Sequence, residues 1–423
     1  MTELDAVVVG AGIAGLHQLH LLRERGLRVL GLEEAADVGG AWLSHDHPGA
    51  RLDVDAHLYQ YFFSEALYRD WSWSERFPGG YEVLRWLRFV AERLDLRRDI
   101  RFATRVVDTT PGPGGGWRVR TDAGGAAGTV EARCVVRCTG SAATRVDPPG
   151  LDTFAGPVLR TACWPRRAPD LTGTRVGVVG SGVSAVQLVP RIVGPTAHLT
   201  VFAGTPVDVL PRENPVYGWR ERDRDKARFA ELRELLPGTV DGTDDAAVPD
   251  LAALPAAERR ARLEELYADR SLRLWRTVVA QAPDDAVLAE VTGFVRAKMR
   301  ERLGDPRLAD VLVPTDHPFG ARPVGLDLGW LEVFARDDVA LVDTRATPIR
   351  RLRPEGVELV DGTVHAVDTL VLAEDTAPAP HEQREDRPGL FTVTPPAPPA
   401  NGAVDLQRQN DAVARAVGDL VGG

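Results

Sequence analysis

Two glycine-rich hexapeptides carry the clearest chemical signal in this chain of 423 residues. Gly10-Ala11-Gly12-Ile13-Ala14-Gly15 follows the apolar run Ala6-Val7-Val8-Val9, and Gly180-Ser181-Gly182-Val183-Ser184-Ala185 follows Val176-Gly177-Val178-Val179. At a strand, loop and helix junction of this kind, glycine permits the tight turn and lets the backbone approach a pyrophosphate. The phosphate charge then rests on amide groups at the helix N-terminus. Gly10, Gly12 and Gly15 form one set of cofactor-binding candidates, and Gly180, Gly182 and Ala185 form a second. Two loops point to two dinucleotides, the pattern of a flavin enzyme reduced by a nicotinamide.

The residues downstream of each loop tell the two apart. After the first, Leu27-Arg28-Val29-Leu30-Gly31-Leu32 ends in Glu33, a carboxylate able to accept hydrogen bonds from ribose hydroxyls, so this loop is expected to hold FAD. After the second, His198-Leu199-Thr200-Val201-Phe202 ends in Ala203-Gly204-Thr205, with neither an acid for a ribose nor an arginine for a 2′-phosphate. The identity of the second cofactor is left open by that change.

The elements that must position these loops read as α/β. The expected fold has two Rossmann-like dinucleotide-binding domains of the flavoprotein type, with a helical insert in the second. Residues 1–150 make the N-terminal part of the FAD-binding domain, with a helix over Tyr81–Leu94 and strands at Ile100–Phe102, Trp117–Thr121 and Thr129–Val136. Glycine-rich stretches at Pro111–Gly116 and Ala123–Gly128 read as hairpin turns. Residues 151–372 make an NADP-binding-like domain interrupted by helices at about 219–312. Residues 373–423 return to the FAD domain through the proline-rich run Pro395–Pro399 and a helix over Leu406–Val421.

Composition narrows the partners. A hydrophobic content of 44% supports a substantial core, and a formal net charge of −10 disfavours nucleic acid and anionic membrane surfaces. No apolar run is long enough to cross a bilayer. Met1-Thr2-Glu3-Leu4-Asp5 runs directly into the first strand, which gives the expectation of a cytoplasmic protein. Cys134, Cys138 and Cys163 have neither a paired framework nor zinc-like spacing, so they are read as plain thiols and no metal is expected.

An ordered series then carries a family resemblance over almost the whole chain. Gly39-Gly40-Ala41-Trp42, Pro48-Gly49-Ala50-Arg51-Leu52-Asp53, Tyr59-Gln60-Tyr61-Phe62-Phe63-Ser64 and Trp71-Ser72-Trp73-Ser74-Glu75-Arg76-Phe77-Pro78 resemble the Baeyer-Villiger monooxygenases, among the class B flavin-dependent monooxygenases. The resemblance implies FAD, NADPH, O2 and a small organic substrate, oxygenated through a C4a-peroxyflavin. It adds Gly40, Trp42, Arg51 and Asp53 to the cofactor-binding positions. Asp53 also becomes a catalytic candidate, lying near flavin and nicotinamide, although a turn carboxylate is its plain alternative.

Several functional positions depart from the family pattern. The fingerprint Phe-x-Gly-x-x-x-His-x-x-x-Trp-Pro appears as Phe154, Gly156, Trp164 and Pro165 with Arg160 in the histidine position. Gly204 stands where the family's arginine meets the 2′-phosphate, a charge-assisted contact that glycine cannot supply. Around His317-Pro318-Phe319-Gly320-Ala321-Arg322-Pro323 the run is one residue short. Arg322 therefore takes either the role of the catalytic arginine, stabilising peroxide charge, or that of the lysine before it; a surface ion pair is its plain alternative. The family's Ala-Thr-Gly becomes Ala373-Glu374-Asp375, and the C-terminal region is shorter than usual. His45 and His47 occupy a segment facing the active site in relatives and could do acid-base work, or be loop histidines.

The leading expectation is an FAD-dependent monooxygenase of Baeyer-Villiger type acting on a small, biosynthetic molecule. The losses at Gly204, Arg160 and Glu374 sustain an alternative, a flavoenzyme that does not use NADPH and works as an oxidase, dehydrogenase or redox-neutral catalyst, served by an external reductase where one is needed. A non-catalytic flavin-binding scaffold is a third.

Overall fold

A computed structural model describes residues 4–112, 115–140, 147–236, 250–271, 273–281, 285–374, 388–394 and 402–422. The first glycine loop grows out of a sheet of seven strands: β1 (Leu4–Val9), β2 (Val29–Leu32), β3 (Ile100–Arg101), β4 (Arg105–Pro111), β5 (Trp117–Ala123), β6 (Ala126–Arg137) and β17 (Leu390–Thr392). The order is β3-β2-β1-β6-β5-β4, with β17 also on β6. Strands β3, β2, β1, β6 and β17 run parallel, and β4, β5 and β6 antiparallel. The first strand is apolar throughout its centre because both faces are covered. Ala6 and Val8 meet Leu16, Leu19 and Leu22 of the helix Ile13–Glu24, while Val7 meets Trp117 and Val119. The expected hairpins link β4 to β5 and β5 to β6, but β4 itself is a strand that the hydrophobic pattern does not predict.

The second loop grows out of a parallel sheet ordered β12-β9-β8-β16-β7. Its strands are β7 (Val158–Arg160), β8 (Arg175–Val179), β9 (His198–Ala203), β12 (Val339–Asp343) and β16 (Thr369–Leu372). A two-stranded pair, β10 (Val209–Pro211) with β11 (Gly325–Asp327), stands beside it, and β13 (Ile349–Arg353), β14 (Gly356–Leu359) and β15 (Val364–Ala366) form a small antiparallel sheet. Helices occupy much of the interval 219–312, including Ala256–Ala268 and Asp285–Leu303. Phe294, Val295 and Met299 of the latter are buried in one core with Leu188 and Val189 of the helix Val183–Ile192, so the insert packs as part of this unit.

The chain returns to the first unit through β17 and the helix Gly402–Gly422, which begins earlier than the expected Leu406. Asn410 Nδ2 donates to the Ala14 carbonyl (3.2 Å), and Arg133 donates to the carbonyls of Leu420 and Val421. The proline run Pro395–Pro399 and Asp375 lie outside the described residues. Among the described residues no helix is long and apolar enough to cross a membrane.

Candidate active site

The first loop is built with almost no spare volume. Gly10 has φ +99°, and a Cβ there would lie 2.6 Å from the Cys138 carbonyl oxygen; a Cβ on Gly15 would lie 1.9 Å from the Gly10 carbonyl oxygen. Gly12 caps the helix Ile13–Glu24 without a side-chain hydrogen bond, and no acidic residue stands in the first turn. The backbones of Gly12 and Gly40 face each other, with an added Cβ on Gly40 reaching 3.0 Å from the Gly12 Cα. Glu33 is buried; its carboxylate accepts the N–H groups of Ala11 (2.6 Å) and Ala35 (2.8 Å). Burial pushes its pKa up, while those two hydrogen bonds act in the opposite direction. An anion-compatible helix start, two glycines that admit no Cβ and a buried acid tied to the loop fit a dinucleotide.

The segment from 39 to 61 wraps this loop. Trp42 Nε1 donates to Tyr59 Oη (3.0 Å), and burial pushes the Tyr59 phenol up to about 12, with the Asp53 charge pushing the same way. Arg51 Nη1 donates to the Phe77 carbonyl (3.1 Å) and stands 3.6 Å from Glu75. Asp53 is exposed at the surface; loss of water around its carboxyl pushes the pKa up, and the positive charge of Arg212 acts in the opposite direction. His47 is buried, edge-on to Trp164 with ring centroids 6.4 Å apart, and burial lowers its pKa to about 4; burial also lowers that of His45. Both histidines are thus held toward the neutral form.

Residues 49–53 are clamped between the two units. A Cβ on Gly49 would lie 2.0 Å from the Gln187 carbonyl oxygen, and Gln187 Nε2 donates to the Arg51 carbonyl (3.3 Å). On the other side the Leu52 N–H donates to Pro78 (3.0 Å) and the Ala56 N–H to Arg76 (2.8 Å). Residues 74–77 are in turn laced to 214–217: Asn214 Oδ1 accepts the Phe77 N–H (2.8 Å), Pro215 the Arg76 N–H (3.1 Å), and Ser74 the Tyr217 N–H (2.7 Å). Arg212, only 7% exposed, lies over the Phe77 ring at 4.3 Å.

At the second loop Gly180 has φ +127°, and a Cβ would lie 2.8 Å from the Ala373 carbonyl oxygen. Gly182 caps the helix Val183–Ile192 without a side-chain hydrogen bond, and Ala185 is fully buried in the core behind it. This half of the site also fits a pyrophosphate. The outer half does not supply a cation at the expected place: Gly204 follows β9, and among the described residues an added Cβ meets only Thr344 Oγ1, at 3.8 Å. Arg160 ion-pairs with both Glu374 and Asp147, and Ser184 Oγ donates to the Glu374 carbonyl (3.0 Å).

Arg322 stands at the surface. Its side chain is 40% exposed and paired with Asp316 at 3.2 Å. Phe319, three residues earlier, is anchored in the helical insert: its N–H donates to Thr292 Oγ1 (3.0 Å) and its ring meets Trp275 edge-on at 5.6 Å. Cys134 and Cys138 are buried and Cys163 exposed, and burial pushes Cys138 up to about 12. Among the described residues no group of histidines, cysteines and acids could hold a metal.

Motif reading did not find the stacking of Arg212 on Phe77, nor the pairing of Arg160 with Glu374. The first has no motif around it. The second had a signal, since both residues are departures from one pattern and carry opposite charge.

Residues 8–71 match the NAD(P)-binding Rossmann-like domain family. The chain is 44% identical over 376 residues to the acetone monooxygenase (methyl acetate-forming) of Gordonia sp. (strain TY-5), a match covering 88% of this chain and 70% of that protein. It is 33% identical over 380 residues to a Baeyer-Villiger monooxygenase of Pseudooceanicola batsensis, covering 88% and 68%. Its fold superposes on an oxidised steroid monooxygenase bound to NADP with a TM-score of 0.90 and 34% identity, over 99% of this chain and 86% of the other.

Proposed function

The chain belongs to the Baeyer-Villiger monooxygenases, and from that premise we propose that it takes FAD and NADPH and inserts one oxygen atom of O2 beside the carbonyl of a small ketone. The balance is ketone, O2, NADPH and a proton giving ester, NADP+ and water. The observation that carries this reading is the clamp on residues 49–53, which puts Arg51 and Asp53 where the two dinucleotide units meet. The similarity to an enzyme named for acetone supports a small ketone as the substrate class.

Bound FAD supplies oxygen activation, and NADPH supplies the hydride. The chain supplies the arrangement. Gly10, Gly12 and Gly15 seat one pyrophosphate, Glu33 accepts from the neighbouring ribose, and Gly180, Gly182 and Ala185 form the seat of the second. Gly40, Trp42 and Arg51 fix the wall around the first loop, and Asp53 holds a carboxylate at the junction. Arg322, paired with Asp316, is the candidate cation for the role of the family's catalytic arginine or of the lysine before it. With glycine at 204, discrimination between NADPH and NADH is weak.

The test is anaerobic addition of NADPH to the FAD-loaded protein, followed by air and acetone or cyclopentanone. Bleaching of the oxidised-flavin absorbance, then ester carrying one 18O atom from 18O2, is the expected result. A flavin reducible by dithionite but not by NADPH would overturn it and favour the flavoenzyme that does not use NADPH.

A further inference from the structure

Two side chains from different units lean on the same pair of residues. Arg51 belongs to the segment that wraps the first loop, and Asn214 follows β10 in the second unit. Arg51 Nη1 donates to the Phe77 carbonyl (3.1 Å) and stands 3.6 Å from Glu75 Oε1. Asn214 Nδ2 donates to the same carbonyl (3.3 Å) and to Glu75 Oε2 (2.7 Å), while its Oδ1 accepts the Phe77 N–H (2.8 Å). The backbones are tied as well: Arg51 forms an isolated antiparallel bridge with Gly79, and Glu75 forms one with Val216. The amide of Asn214 therefore uses its donor and its acceptor on the two residues that also hold the guanidinium of Arg51.

One donor of Arg51 is left over. The side chain is 12% exposed, and its Nε is buried with no acceptor among the described residues. The Arg51 carbonyl accepts from Gln187, on the helix that starts after Gly182, so its backbone is fastened to the element that seats the second pyrophosphate. A buried cation with an unused N–H, on a segment fastened to an anion seat, is arranged to receive an anionic ligand. We infer that Asn214 is a positioning residue for Arg51: by holding Glu75 Oε2 and the Phe77 carbonyl, it keeps the guanidinium from closing on Glu75 and leaves Nε for the nicotinamide dinucleotide. The inference rests on the reading of Arg51 as a cofactor-binding residue. Arginine and carboxylate favour a two-bond fork. Here Arg51 meets Glu75 through Oε1 at 3.6 Å, beyond hydrogen-bond range, while Oε2 is taken by Asn214. Because Asn214 and Arg51 belong to different units, the same contacts make the set of the guanidinium depend on how the units are seated.

A double-mutant cycle over wild type, N214A, R51A and N214A/R51A tests this. The readout is the dissociation constant of NADP+ from the FAD-loaded protein, followed by the change it causes in the flavin absorbance. N214A is expected to raise that constant about fivefold, the scale of one net hydrogen bond, and to change it by less than about twofold when Arg51 is already alanine. N214D, which keeps the acceptor for the Phe77 N–H and loses the donor to Glu75 and Phe77, reproduces the effect of N214A. Thermal unfolding is measured alongside, and there N214A loses the same melting temperature in both backgrounds, which separates positioning from general stability. If N214A does not fold, N214S takes its place in the cycle. Equal fold-changes in Kd with and without Arg51 would overturn the inference. A wild-type flavin spectrum that NADP+ leaves unchanged would overturn the proposed function. The same cycle read on the dissociation constant of FAD then decides the pair, with dependence on Arg51 upholding it and additivity overturning it.

Discussion

Arg160 donates a charge-assisted hydrogen bond to Glu374 across the ends of two neighbouring parallel strands, β7 and β16. Arg160 stands in the histidine position of the family fingerprint and Glu374 in the threonine position of Ala-Thr-Gly, so two departures meet and neutralise each other. Asp147 adds a second, half-exposed acid to Arg160, and Thr161 fixes the Glu374 backbone through Oγ1 as donor to its carbonyl (3.0 Å) and acceptor of its N–H (2.8 Å). The two side chains are 11% and 6% exposed.

Removing one partner of a buried pair leaves an uncompensated charge and costs about 3 kcal/mol, whereas removing both costs much less. R160M, which leaves the buried Glu374 carboxylate without a cation, is therefore strongly destabilised in urea unfolding, E374Q loses less because Asp147 still pairs with Arg160, and the double variant E374Q/R160M is more stable than the sum of the two losses. Additive losses would show that the pair is not an energetic unit.

Gly204 offers room for the cation it lacks, since an added Cβ meets only Thr344 Oγ1. An arginine-phosphate contact contributes about 2 kcal/mol, equivalent to roughly thirtyfold in affinity. G204R is thus expected to lower the KM for NADPH by about that factor while leaving that for NADH within about threefold. A change shared equally by both nucleotides would mean that the 2′-phosphate does not lie near this position.

Both glycine loops, the strands that feed them and the family were legible in the sequence because each depends on residues next to one another. Gly10 and Gly15 announce a turn that excludes Cβ atoms, and the i, i+3, i+4, i+7 spacing of Val83, Trp86, Leu87 and Val90 marks a helix with one buried face. What could not be read depends on distant partners. Arg212 is separated from Phe77 by 135 positions, the difference of their residue numbers, and lies over its ring only because residues 74–77 lace the two units together. β4 escaped for a local reason: Arg105-Val106-Val107-Asp108-Thr109-Thr110 has β-branched residues but largely polar or half-exposed surroundings, so its alternation is weak.

Glu33 connects fold and cofactor site. It accepts the N–H of Ala11 inside the first loop and that of Ala35 beyond β2, so its side chain fastens the loop before any ribose does. E33A leaves two amides without these acceptors and costs about 2–4 kcal/mol in stability, together with loss of FAD during gel filtration. E33Q, which keeps an acceptor oxygen, falls between. If E33A lost no stability and retained flavin, the role given to this carboxylate in both would be wrong.

His17 sets an acid limit on the fold. It lies in the helix Ile13–Glu24 against the C-terminal helix, stacked on Phe63 at 4.8 Å and 3.4 Å from Asn410 Nδ2. Burial lowers its pKa from 6.5 to about 3, with the nearby His20 pushing the same way. The unfolded chain binds this proton near 6.5 and the folded chain does not, so the neutral form stabilises the fold fully above 6.5. That contribution falls as pH drops through the window between about 6.5 and 3. The loss is about 2 kcal/mol by pH 5. Replacing His17 by glutamine removes the proton site while keeping a polar group beside Asn410. H17Q should flatten the acid limb of a plot of unfolding free energy against pH between 5 and 7. An unchanged acid limb would assign that limb to other groups, and the packing of the two helices would then be independent of histidine charge.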